Sequence, residues 1–217
     1  MGLSQEIHDK GKLAVSQRSF QLFEAFNRLE LQEQYTFAAR HTERSQYLLR
    51  RILIDKLEAL EGNGVAGFYI HGRDAFLHST AVLCKWVTDD PGSQATFSRM
   101  QCDPVLQPIK ETLKGEEQLF NDLIVDDRGY ILLTNDQAAP SITAFRGHIS
   151  SLLKNRNITL HFQNWQHMVL ARITRYQQER TGELLDAICE LRQYVNTSPF
   201  IMNVHEIWSG CVADLLL

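Results

Sequence analysis

Apolar side chains recur at helical intervals over the opening stretch of the chain. Leu22, Phe23, Phe26 and Leu29 fall on one face, and Gln, Glu and Arg fill the other, which predicts a helix from about Ser4 to Leu31. Gly11 is expected to divide a looser first part from the amphipathic remainder. A second helix is predicted from an N-cap at Thr42 to Leu60. Leu49, Leu53, Leu57 and Leu60 form its stripe, Ile52 lies beside it, and Gly62-Asn63-Gly64 stops it.

The period then shortens. Val65 to Ile70 is apolar and aromatic, as in a strand, and His71-Gly72-Arg73-Asp74 reads as a turn. Ala75 to Thr80 is expected to return as a strand that gives way to helix, since Phe76, Thr80, Leu83 and Val87 also fit helical spacing. Asp89-Asp90-Pro91-Gly92-Ser93 is loop by composition. Asp103 and Pro104 open a helix to Leu113 that Gly115 ends. Leu119 to Val125 and Tyr130 to Thr134 predict a β-hairpin turning at Asp126-Asp127-Arg128-Gly129, with Gly129 at positive φ.

Beyond the hairpin, Pro140 starts a helix through Leu153, and Ile158 to Phe162 reads as a strand. Asn164 is expected to cap a long helix reaching Val195. Its second half carries the stripe Leu184, Ile188, Leu191 and Val195, and its polar middle, Gln177 to Gly182, is a place for a kink. Phe200 to Val204 closes the pattern as a strand, with helix expected at the end. No internal repeat or low-complexity segment interrupts this order.

The resulting class is α+β: a small antiparallel sheet packed with helices, a helical N-terminal segment and a long C-terminal helix. Three segments are expected, 1-61 helical, 62-162 an α+β core, and 163-217 the long helix and closing strand, all compatible with one domain.

Composition narrows the function classes. The 217 residues are 44% hydrophobic and 22% charged, enough for a proper core. A formal net charge of -4 argues against sequence-independent nucleic-acid binding, which needs a surplus of Lys and Arg. The best local basic patch, Arg44, Arg50, Arg51 and Lys56, is balanced by Glu43, Asp55 and Glu58. No apolar run reaches the roughly 18 residues of a membrane span. No signal peptide is read, and Glu6 stands where a myristoylation motif wants Ser or Thr. A cytoplasmic location is therefore expected. Cys84, Cys102, Cys189 and Cys211 include no C-x-x-C pair and are expected as reduced thiols.

Candidate chemistry is sparse. The histidines, at 8, 41, 71, 78, 148, 161, 167 and 205, show no metal-ligand spacing. A hydrolase assembled in space from Cys84 or Cys102 and His148 or His161 is the sharpest enzymatic alternative. Asp89-Asp90 and Asp126-Asp127 sit in turns, where Asp bonds its own backbone, and no EF-hand spacing follows. No catalytic, cofactor-binding or metal-ligating residue is assigned.

One stretch points to a family. Val125, Asp126, Gly129, Ile131 and Asn135 fit a V-D-x-x-G-x-I pattern followed by Asn, and in this the segment resembles the hairpin of PAS, Cache and GAF sensor domains. The resemblance implies a sensor or regulatory module and names no ligand. The favoured expectation is a non-enzymatic regulatory or protein-interaction role. The two terminal stripes, Leu22, Phe23, Phe26 and Leu29 with Leu184, Ile188, Leu191 and Val195, exceed what a small sheet covers, so they are expected at the interface of a homodimer or with a protein partner.

Overall fold

The computed structural model describes residues 2–25, 34–73, 77–86, 104, 106–154, 158–161 and 165–212. Helix α1 spans Leu3–Gln17. Helix α2 runs through Glu43–Leu49, a π-helical turn at Arg50–Ile54, and Asp55–Gly62. The later helices are α3, Leu106–Glu111; α4, Pro140–Leu153; and α5, Thr181–Thr197. The strands are β1 Gln34–His41, β2 Ala66–Ile70, β3 His78–Trp86, β4 Glu117–Phe120, β5 Asp122–Val125, β6 Tyr130–Asn135, β7 Ile158–His161, β8 Gln166–Tyr176 and β9 Phe200–Cys211.

The α+β class holds. The strands form one antiparallel, nearly closed sheet in the order β4-β9-β1-β3-β8-β6-β5, with β2 also on β8 and β7 also on β3. All three expected segments contribute strands to it. Its core has two parts. In the first, Leu49, Leu53 and Leu57 of α2 and Leu184, Ile188, Leu191 and Val195 of α5 pack on β2, β5, β6 and β8. In the second, Ile142, Phe145 and Ile149 of α4 meet Phe37, Val82 and Cys84 of β1 and β3.

Local signals held where local chemistry sets them. Thr42 caps α2, its Oγ1 accepting from the Ser45 N–H at 3.4 Å. Pro140 opens α4. The β5–β6 hairpin forms with Gly129 at φ 77°, and the Asp126 carboxylate accepts from the N–H groups of Arg128 and Tyr130 at 2.9 and 2.8 Å.

Several expectations are corrected. The first helix stops at Gln17, because Arg18 turns left-handed (φ 51°) and its N–H closes back on Ala14 and Val15. Tyr176 rewards that turn: the Arg18 guanidinium donates to its carbonyl at 2.6 Å and lies 4.7 Å from its ring centroid. Residues 19–25 therefore leave the helix, and the Phe23 N–H donates to Ile173 on β8 at 3.1 Å. The 1–61 segment, expected as helices, contains β1 between them, and β3 stays a strand to Trp86.

The long helix from Asn164 is the largest revision. Gln166–Tyr176 is a strand held between β2, β3 and β6, and helix begins only at Thr181 after a 3-10 turn. Leu119 and Phe120 pair with β9, so only Asp122–Val125 joins the hairpin. The closing strand runs on to Cys211. Asp89-Asp90, Asp103 and the expected terminal helix at 213–217 lie outside the described residues.

Candidate functional site: two imidazoles across the β3–β8 seam

β3 opens with His78, and His167 is the second residue of β8. Ser79 registers with Met168. Side chains alternate along a strand, so His78 and Thr80 share the opposite face with His167 and Val169. Neighbouring registers carry that face across the sheet. Glu206 and Arg40 line up with His78, Trp208 and Ala38 line up with Thr80, and Thr134 pairs with His167. The two imidazoles are thus diagonal neighbours, a relation that sets positions roughly 7–8 Å apart on paired strands. His78 is 8% exposed, while Thr80, His167, Val169, Arg40 and Trp208 are half-buried.

The surroundings hold both rings. Trp165 stacks on His167 with centroids 5.1 Å apart. His71 meets His78 edge-on at 6.3 Å, and Tyr69 meets His71 at 5.5 Å. Arg146 is buried behind them and ties β3 to the start of β8. Its Nε donates to the Ala81 carbonyl at 2.7 Å, and Nη1 and Nη2 donate to the Trp165 carbonyl at 3.3 Å. Burial first, then the charges of Arg146 and His78, pull His167 down to about 4. The ring is therefore neutral near pH 7.

On the other face of β3, Ser79 Oγ donates to Gln118 Oε1 at 2.6 Å and lies 3.2 Å from His41 Nε2. Farther along β8 the Arg172 guanidinium stands 4.1 Å from the Phe23 ring centroid and 4.2 Å from that of Tyr130. Phe23 meets Tyr69 edge-on at 5.1 Å.

Of the residues expected at an interface, those of the second stripe and Phe23 are buried within the chain. Leu184, Ile188, Leu191 and Val195 are buried inside the chain against α2 and the sheet, because the sheet is larger than the sequence suggested and covers the stripe. Phe23 is buried over Arg172, Leu22 is 37% exposed, and neither belongs to a helix. Phe26 and Leu29 lie outside the described residues.

Of the two cysteines offered as nucleophile for a Cys–His site, one is described, and it is buried. Cys84 has no exposure, burial pushes its thiol up to about 12, and His148 is exposed on α4. Cys102 lies outside the described residues, as does the side chain of His161. Asp126 serves its turn. Among the described residues no group of three or more His, Cys, Asp or Glu side chains could hold a metal ion, and no helix is long and apolar enough to cross a membrane.

The imidazole pair escaped sequence reasoning for one reason. His78-Ser79-Thr80 and His167-Met168-Val169 share a pattern, His followed two residues on by a β-branched side chain, that matters only if both segments are strands. Reading 166–176 as helix hid it. No protein-family model matches this chain, and no curated protein matches it.

Proposed function

We propose that the chain is a general acid–base catalyst acting on a phosphoester, with His167 as base and His78 as acid. The observation that carries this reading is the placement of both rings on one face of two paired strands, diagonal about Ser79 and Met168. In-line displacement at phosphorus needs a proton taken from the attacking oxygen and one given to the leaving oxygen on the far side. Diagonal positions on paired strands, roughly 7–8 Å apart, let two imidazoles flank such a centre. His167 takes the proton of an attacking water as the new P–O bond forms. The opposite P–O bond breaks, and the His78 imidazolium gives its proton to the departing oxygen. The Thr80 hydroxyl, which the register places opposite His167, is a neutral donor for a non-bridging oxygen.

Hydrolysis of bis(4-nitrophenyl) phosphate by the purified protein tests this. Wild-type turnover should fall at least about 100-fold in His78→Gln and in His167→Gln, the usual scale for losing one general acid or base. Absence of wild-type turnover, or a His167→Gln variant as fast as wild type, would overturn it.

A second reading, protein interaction, is favoured by one surface feature. Leu119 on the end strand β4 registers with Ile201 on β9, and the two are 43% and 55% exposed. An apolar cross-strand pair at a sheet edge suits contact with another chain. Sedimentation equilibrium checks it: a larger species at micromolar concentration that Ile201→Asp converts to folded monomer supports interaction, and a monomeric wild type counts against self-association.

A further inference from the structure

The spacing of His78 and His167 is not set by a long ladder. β3 gives its later residues to β7, and β8 gives its later residues to β2. Among the described residues Ser79 and Met168 are the one registered pair between β3 and β8. The registered pairing stops on either side of it, so that pair is the pivot about which both imidazoles are placed.

The pivot is anchored from behind. Ser79, Gln118 and His41 come from β3, β4 and β1, and are 1%, 1% and 2% exposed. The Ser79 hydroxyl gives its proton to Gln118 Oε1, which leaves its oxygen to accept from the Nε2–H of a neutral His41. In the sheet order β9 and β1 stand between β4 and β3. Neighbouring strands lie about 4.8 Å apart, so a flat sheet would hold Gln118 and Ser79 well beyond hydrogen-bond reach. The 2.6 Å contact therefore draws the curled end of the sheet onto the residue at the seam. The Phe120 ring stands 6.3 Å from that of His41. His41 Nδ1 is buried without a hydrogen-bond partner among the described residues, so the trio is held by the two bonds to the Ser79 hydroxyl, and directional bonds made in a low-dielectric interior favour one arrangement of the groups that make them.

We infer that Gln118, Ser79 and His41 are positioning residues that fix the β3–β8 crossing and with it the distance between the two imidazoles, a role that rests on the acid–base reading above. None of the three touches the face that carries His78 and His167. Their effect is transmitted through the backbone of Ser79.

Two readouts test the inference in the full chain at pH 7. The first is the set of cross-strand backbone NOEs between residues 78–80 and 167–169. These should weaken or vanish in Ser79→Ala and in Gln118→Met while the NOEs of the β5–β6 hairpin persist. The second is turnover of bis(4-nitrophenyl) phosphate, where kcat should drop about tenfold or more with KM within about twofold. Leu191→Ala, a core change in α5 far along the chain, is the matched control and should lose stability without losing the seam NOEs or kcat. Gln118→Met keeps the question open to refutation should Ser79→Ala fail to fold. Seam NOEs and kcat unchanged in a folded variant would overturn the positioning role. A wild type with no turnover would instead overturn the acid–base reading, and the NOEs would still decide whether the buried trio sets the crossing.

Discussion

The Phe20 ring lies directly over Gly129: a β-carbon there would stand 2.4 Å from Phe20 Cε2. Gly129 also holds φ at 77°, where a β-branched side chain is strained. Gly129→Val should therefore cost about 2–5 kcal/mol from strain and overlap together. Urea unfolding measures it. Combining Gly129→Ala with Phe20→Ala should recover the overlap and leave the φ penalty, so a double-mutant cycle separates the two.

Gly11 is the seat of α1 on the sheet. A β-carbon there would come within 2.0 Å of the Val125 carbonyl oxygen, and backbone cannot swing aside as a long side chain can. Nearby, His8 Nδ1 accepts from the Val125 N–H at 3.3 Å. Gly11→Ala should raise amide exchange across residues 3–17 and lower stability by about 1–3 kcal/mol, although alanine is the better helix former. A more stable Gly11→Ala protein would contradict this packing.

Ile188 is a core position, with no exposure between α2 and the sheet. Ile188→Asp should unfold the protein, since it deletes buried apolar surface and places a carboxylate in its stead. Circular dichroism checks it directly. A folded variant with a lower mass in sedimentation would show the stripe at an interface instead.

Acid should destabilise the fold through its buried histidines. Burial, followed by the charge of Arg192, pulls His8 down to about 4, and burial, followed by the charge of His78, pulls His41 down to about 3. Between those values and the ordinary 6.5 the unfolded chain binds protons that the folded one refuses. Stability is therefore full above about pH 6.5 and declines as pH falls toward about 4, by roughly 1.4 kcal/mol per pH unit for each histidine. Urea midpoints at pH 7, 6 and 5 should trace that decline, and His8→Gln should flatten it.

Thiol chemistry should follow burial. Cys84, Cys189 and Cys211 form no disulfide, and Cys84 is sealed inside the second core cluster. All four cysteines should react with a thiol reagent after denaturation without prior reduction, and Cys84 should stay silent in the native protein. Fewer than four thiols recovered from denatured protein would refute this.

What the sequence determined by itself is what neighbouring residues settle among themselves. Asp126 and Gly129 make their turn whatever surrounds them, Thr42 caps α2 by its own hydroxyl, and Pro140 begins α4 because its missing N–H costs nothing there. The spacing of Leu184, Ile188, Leu191 and Val195 showed a helix with one apolar face, but not what covered that face. Tertiary structure decided the rest. β1 sits between two strands and is buried on both faces from Tyr35 to Ala39, so the alternation that marks a half-exposed strand is missing there, while in β8 a register shift between Val169 and Ala171 breaks the alternation. Which strand Leu119 joins depends on β9, some eighty residues later in the sequence. The two imidazoles become a pair only when Ser79 meets Met168, because a strand's side-chain period tells which face a residue takes, while the partner across that face is chosen by long-range pairing.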